Sequence, residues 1–130
     1  MYDKVVELLV ALGYTMQDSD ETILNFCIDK VTSTIKNDIN WREIPEGLTA
    51  IAVNMVLGEF LKAKKTFAPD DLTGLDLGVG IKQLQEGDKN TTFSTGESTL
   101  TDEQRLDAYI SYLLTSGRDE FSSFRRIRWG

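Results

Sequence analysis

One segment of this chain is apolar on nearly every side of a helix. It runs from Leu48 to about Lys65 and contains Ile51, Ala52, Val53, Met55, Val56, Leu57, Phe60 and Leu61. A surface helix keeps a polar face toward water, whereas a helix that is apolar all round is covered by other elements. The sequence therefore predicts a central helix. Pro45 suits its first turn, and the KAKK sequence at 62–65 is typical of a helix C-terminus.

Amphipathic segments on either side predict the helices that cover the central one. Residues 2–12 have apolar side chains at helical spacing, and a glycine ends that pattern. A second helix follows Asp18, which is predicted to form a capping box with Glu21. Its apolar residues are Ile23, Leu24, Phe26, Cys27, Ile28, Val31, Ile35 and Ile39. A last helix opens with the capping-box sequence TDEQ at Thr101 and ends at Gly117.

These patterns predict a mainly all-α fold. At 130 residues the chain has the length of one domain with a real core. We expect a four-helix bundle-like body made of residues 1–66 and 101–117, an insertion at 67–100 and an extended C-terminal tail at 118–130. The insertion holds Gly74, Gly78, Gly80, Gly87 and Gly96. Residues with β propensity flank a possible turn at EGDKN. The insertion could therefore form a projecting β-hairpin or an irregular loop.

The composition disfavours an enzyme. There is no histidine and only one cysteine, so imidazole-activated nucleophiles and the usual zinc ligand sets are excluded. Cys27 lies on the apolar face of its helix, which predicts a packed core thiol. The carboxylates of Asp70, Asp71, Asp76 and Asp88 lack calcium-loop spacing and are expected to be solvated. We predict no catalytic residue, no metal and no cofactor.

The C-terminal tail differs from the rest of the chain in charge. Residues 118–130 carry a net charge of +2, whereas residues 1–117 carry −9. The acidic body disfavours DNA binding, because it repels a polyanion within a Debye length of about 8 Å. The helices show no basic amphipathic face, so the sequence does not predict membrane binding. Aromatic and arginine side chains dominate protein interfaces, so a protein partner fits better, and folding back onto the subunit's own helices is the alternative.

The order of these features resembles a known family. A short first helix, the WREIP break from Trp41 to Pro45, an apolar third helix, a glycine-rich insertion and an FRRIRW ending are similar to phage head-tail connectors. These are the small head-completion adaptor proteins of tailed phages and prophages. The resemblance covers nearly the whole chain and depends mostly on the IKxLxEGDxxxxF stretch from Ile81 to Phe93 and on 124–129.

The resemblance implies a structural, non-enzymatic virion protein that assembles as a ring of about twelve copies beneath the portal. In that arrangement the tail docks on the portal protein through Phe121, Phe124, Arg125, Arg126, Ile127, Arg128 and Trp129. The insertion from 75 to 95 contacts neighbouring copies and the downstream stopper or tail-completion protein, with candidate residues Ile81, Leu84, Gly87, Asp88 and Phe93. DNA passes through the channel without specific binding.

The expected location is the head-tail interface of the virion, and the host cytoplasm during assembly. The apolar run VVELLVAL contains Glu7 and has no basic flank, so it does not predict a secretory signal. A second function remains open at this point. The chain would then be a small helical adaptor or regulatory domain that binds one protein partner through the same tail without forming a ring.

Overall fold

The computed structural model describes residues 1–40, 44–73, 75 and 102–121. Within these residues the chain is mainly helical, as predicted. The α helices are α1 (Tyr2–Ala11), α2 (Asp20–Ile39), α3 (Thr49–Phe67) and α4 (Asp102–Thr115). Short 3-10 helices at Glu46–Leu48, Pro69–Leu72 and Arg118–Glu120 adjoin the ends of α3 and α4. None of the described helices is both long and apolar enough to cross a membrane.

Helix α3 is the central element, as its apolar pattern predicts. It packs against α1, α2 and α4, and most of its side chains are buried. The largest of these include Phe60, Leu57 and Leu61, which have almost no contact with solvent. Tyr14, in the α1–α2 connection, packs its ring edge-on against Phe60 at a centroid distance of 5.7 Å. The core of the protein is therefore assembled around one helix.

Helices α2 and α4 both run antiparallel to α3. Lys30 of α2 is paired with Glu59, while the N-terminal Asp20 of α2 reaches Lys64 near the end of α3. Gly58 allows α3 and α4 to approach closely, because a Cβ atom at that position would lie 3.0 Å from the Cβ of Leu113. The antiparallel packing brings the end of α3 beside the start of α4, on either side of the insertion.

Two details of α2 differ from the sequence predictions. The predicted capping box of Asp18 and Glu21 is wrong, since Ser19 precedes the helix and no side chain caps it. Phe26 was grouped with the core-facing residues, but its side chain is 69% exposed. The core-facing stripe of α2 is narrower than its apolar sequence, because its buried apolar residues are Leu24, Cys27, Val31, Ile35 and Ile39.

Candidate functional site

A buried ionic cluster fastens the chain where it leaves α3 toward the insertion; we call this region the insertion root. The ammonium of Lys64, whose residue is only 3% exposed, donates to Asp20 Oδ1 at 2.9 Å and to Asp71 Oδ2 at 2.7 Å. The Tyr14 hydroxyl donates to Asp20 Oδ2 at 2.5 Å, and the Gln17 backbone amide donates to the same oxygen at 2.9 Å. The fully buried Asp20 carboxylate thus accepts three hydrogen bonds.

The pKa values of this cluster follow from its geometry. Burial alone would raise the pKa of Asp20, but the hydrogen bonds from its three donors hold that pKa below its ordinary value. Burial would lower the pKa of Lys64, yet the two carboxylates raise it. Burial and the hydrogen bond to Asp20 raise the pKa of Tyr14 to about 12. Asp20 and Lys64 are therefore charged and Tyr14 is neutral across the neutral pH range.

The hydrogen-bonding capacity of this cluster is used internally. Among the described residues, no buried side-chain nitrogen or oxygen lacks a partner. The buried groups of the cluster bind one another, and the partly exposed Asp71 is held by Lys64, so the contribution of the cluster is to join three segments of chain. These segments are the α1–α2 connection, the end of α3 and the 3-10 helix that follows it.

The cluster was not predicted from the sequence. The KAKK sequence reads as helix C-terminal charge, and Asp71 was expected to be solvated, which is wrong because it pairs with Lys64. One signal for Lys64 was present: it lies three positions after Leu61 and seven after Leu57, so helical periodicity puts it on the buried face of α3. Its partner Asp20 is 44 positions away, and no local pattern connects the two.

The insertion is fastened at both of its edges. On its N-terminal side, Leu72 is buried and Leu75 packs against the core. On its C-terminal side, Lys65 pairs with Glu103 and Asp107 of α4. The predicted contact residues Ile81, Leu84, Gly87, Asp88 and Phe93 lie outside the described residues, as do both alternatives for the insertion, the hairpin and the loop.

An apolar contact fastens the chain at the opposite end of α3, where the C-terminal tail begins; we call this region the tail root. Gly117 has a φ of 83°, and a Cβ atom added there would lie 2.8 Å from Cγ1 of Ile51. The left-handed turn and the close contact both require glycine. The chain then makes a 3-10 helix at Arg118–Glu120 and buries Phe121, which is 3% exposed.

The burial of Phe121 corrects one of the predicted docking residues. A side chain packed into its own subunit's core is not free to enter a partner, so Phe121 belongs to the fold. For this residue the alternative, folding back onto the subunit, is correct. The other predicted docking residues lie outside the described part of the chain: Phe124, Arg125, Arg126, Ile127, Arg128 and Trp129.

The insertion root and the tail root lie at opposite ends of the central helix. Lys64 marks the first and Ile51 marks the second. Thirteen residues of α helix separate the two positions, which corresponds to about 20 Å at 1.5 Å per residue. The two segments that the sequence singles out for partner contacts therefore leave the body about 20 Å apart along α3.

A third feature is an apolar groove between α2 and the C-terminal half of α3, which we call the aromatic groove. Its volume is about 530 Å³, and its exposed aromatic residues are Phe26 and Phe67. Phe67 is 86% exposed at the last position of α3. Lys30 and Lys62 border the groove; Lys30 is paired with Glu59, while Lys62 has no carboxylate partner among the described residues.

Cys27 lies at the base of the aromatic groove and is buried, which confirms the prediction of a core thiol. Burial, with a smaller effect from Glu59, raises its pKa to about 11. The thiol therefore stays protonated and unreactive near neutral pH. In the part of the chain that the structure describes, no group of three or more cysteine or acidic side chains is placed to hold a metal ion.

No family model, curated protein or solved structure matches this chain. Its function is therefore argued from the sequence and from the geometry of the two roots and the groove.

Proposed function

We propose that this protein is a structural head-tail connector subunit of a tailed phage or prophage. In this proposal the helices form a four-helix bundle-like body with a glycine-rich insertion, and copies of it assemble as a ring below the portal. The tail residues 124–129 dock on the portal protein, and the insertion contacts the downstream stopper or tail-completion protein. The ring links the DNA-filled head to the tail and forms part of the DNA channel.

The observation that carries the proposal is the separation of the two roots. A connector contacts one partner above and another below, so its contact segments need to leave from opposite ends of a rigid body. The tail leaves from the Ile51 end of α3 and the insertion from the Lys64 end. Both exits are fastened by buried contacts, which fixes their starting points relative to the body.

The distribution of charge supports the same proposal. The body is strongly acidic, and five of the six positions of the FRRIRW sequence before the final glycine are basic or aromatic. An acidic ring would let DNA slide through without adhering, because like charges repel. A basic, aromatic segment on each copy would meanwhile bind the portal, and the ring would multiply a modest affinity per copy.

Portal binding by tail variants tests this function. Trp129→Ala together with Arg126→Ala is expected to weaken binding to purified portal by about thirty-fold or more, because buried Trp and Arg side chains dominate interface energies. Thermal stability should stay unchanged. Arg105→Ala, near the start of α4 and at the end away from the tail root, is the matched control and should bind normally.

Three outcomes would count against the proposal. Unchanged portal binding by the tail variant would remove the docking role of residues 124–129. A protein that stays monomeric with and without portal, as measured by light scattering, but binds one other protein through the tail would instead favour the adaptor function. Tight DNA binding by the assembled protein at low salt would contradict the acidic channel.

A further inference from the structure

The aromatic groove exposes two large apolar side chains beside a lysine that has no carboxylate partner among the described residues. Phe67 is 86% exposed and Phe26 is 69% exposed, although both lie on helices of the central core. Lys62 stands at the same border and is exposed. An apolar surface with a cationic edge of this kind fits an apolar hollow with an anionic edge.

Such a hollow exists on this same chain, and we call it the acidic hollow. It has a volume of about 450 Å³ and lies between α1 and the start of α2. Its apolar lining comes from Tyr2, Val6 and Met16, and its border carries the exposed carboxylates of Asp18 and Glu21. Neither carboxylate has an ion-pair partner among the described residues.

The two surfaces lie on opposite flanks of α2. Glu21 borders the acidic hollow and Phe26 borders the aromatic groove. Five residues separate them, so they point roughly 140° apart around the helix axis at 3.6 residues per turn. A subunit with complementary surfaces on opposite flanks joins the next copy head to tail, and such heterologous contacts form a ring when the rotation between neighbouring copies closes.

We propose that the aromatic groove of one copy docks on the acidic hollow of the next copy, with Phe67 against the apolar lining and Lys62 against Asp18 and Glu21. This inference rests on the proposed function, in which copies form a ring. It adds a contact surface on the helical body, distinct from the insertion and the tail. A symmetric contact of groove with groove is disfavoured, because it brings lysines of the same surface together.

The area of this contact predicts weak pairing of isolated copies. Each phenylalanine buries at most about 150–250 Å², so the two together provide roughly half of the 800 Å² per partner that is typical of a stable interface. Association is therefore expected only at high protein concentration or when ring closure adds avidity.

Charge reversal provides the test. We expect the wild-type protein to self-associate in sedimentation velocity experiments at concentrations up to about 1 mM. Lys62→Glu alone and Glu21→Lys alone should each weaken this association at least ten-fold, because each places like charges across the contact. An equimolar mixture of the two variants should restore most of it. In an alternating assembly one contact has the wild-type charges, and the other again pairs opposite charges at positions 62 and 21, with Asp18 as the remaining like charge.

Controls separate this contact from effects on folding. Lys36→Glu, at the other end of α2, makes the same charge change and should leave association unchanged. Val10→Ser removes an exposed apolar side chain outside both surfaces and should also have no effect, whereas Phe67→Ser should abolish association. Circular dichroism melting of each variant identifies any loss of fold.

Several outcomes would overturn the inference. These are a wild-type protein that stays monomeric throughout, association that survives both single charge reversals, and a mixture that fails to restore it. Portal binding through the tail is measured independently with the Trp129 and Arg126 variant. Absence of the charge-reversal effect, in a protein whose portal binding still depends on Trp129 and Arg126, would therefore reject this contact alone. Unchanged portal binding by the Trp129 and Arg126 variant would instead reject the proposed function.

Discussion

The insertion root and the tail root are fastened by different kinds of interaction. At the insertion root, Lys64 lies between Asp20 and Asp71, and charge and hydrogen-bond direction determine the contact. At the tail root, Phe121 is packed into the core and Gly117 turns tightly against Ile51, so shape determines the contact. The insertion root should therefore be sensitive to loss of charge, and the tail root to changes in side-chain volume and backbone conformation.

An ionic contact depends on the complete set of its partners. Removing the charges of Lys64 and Asp20 from water is costly, and only their mutual attraction and the extra hydrogen bonds offset that cost. An apolar contact has no such requirement and varies with the volume and area that are buried. The variants below test whether this difference holds.

The largest expected effect is at the insertion root. Lys64→Met keeps the apolar stem but leaves the buried Asp20 carboxylate without its cation. We expect the free energy of unfolding to fall by about 3–5 kcal/mol, measured by urea denaturation. Lys65→Met is the matched control: it removes partly exposed pairs with Glu103 and Asp107 and should cost about 1 kcal/mol or less. Equal losses of unfolding free energy for the two variants would show that the buried cluster stabilises the fold no more than the partly exposed ion pairs do.

Truncation of Phe121 tests the apolar contact. Phe121→Ala removes a buried ring and should lower the free energy of unfolding by about 3 kcal/mol. Phe26→Ala removes an exposed ring and should cost no more than about 0.5 kcal/mol at low protein concentration. If both variants were equally harmless, Phe121 would not belong to the core and its role as a docking residue would be restored.

Substitution of Gly117 separates two costs at the tail root, the cost of the backbone conformation and the cost of side-chain crowding. Gly117→Ala should cost about 2 kcal/mol, from the left-handed φ and from the contact of the new Cβ with Ile51. Adding Ile51→Val removes one of the crowded methyl groups. In a double-mutant cycle, about 0.5–1 kcal/mol of the loss should be recovered. No recovery would assign the whole cost to the backbone.

Lowering the pH tests the same comparison of the two roots. It is expected to have the smallest effect on stability. The pKa values of Asp20 and Asp71 are lowered in the folded protein, so their contribution is present above the ordinary carboxylate value and is lost as pH falls through the folded values. The melting temperature should therefore decline below about pH 4. Asp71→Asn should flatten this decline, measured as melting temperature relative to pH 7.

The apolar root supplies the control for the acid experiment. Phe121→Ala removes no charge, so its melting temperature should decline with the same slope as that of the wild-type protein. A steeper or flatter slope in that variant would indicate that the two roots are coupled.

The helices were predictable because each leaves a periodic trace in the sequence. The central position of α3 followed from apolar residues on all its sides, and the end of α4 before Gly117 followed from the glycine. Phe26 was wrongly predicted to face the core, because the apolar residues of α2 indicate an amphipathic helix without showing which of them are buried. Which of its residues face the core depends on where α1 and α3 pack against it.

The two roots were less predictable, since each depends on a partner that is distant in the chain. Nothing near Lys64 indicates Asp20, and nothing near Phe121 shows whether its ring enters its own core or another protein. Glycines mark turns, so Gly117 was identified, but its contact with Ile51 was not. The aromatic groove was missed because Phe26 and Phe67 each resemble an ordinary member of an apolar helix.

The antiparallel pairing of α3 with α4 has a consequence for how such a protein can diversify. The chain departs and returns at neighbouring points that are each secured, so the stretch between them is closed into a loop by the body itself. Lengthening a closed loop costs little, about 0.6 kcal/mol for each doubling. In the proposed function, where this stretch carries the partner contacts, it can be lengthened at little cost in closure entropy, so that one helical body can serve successive partners.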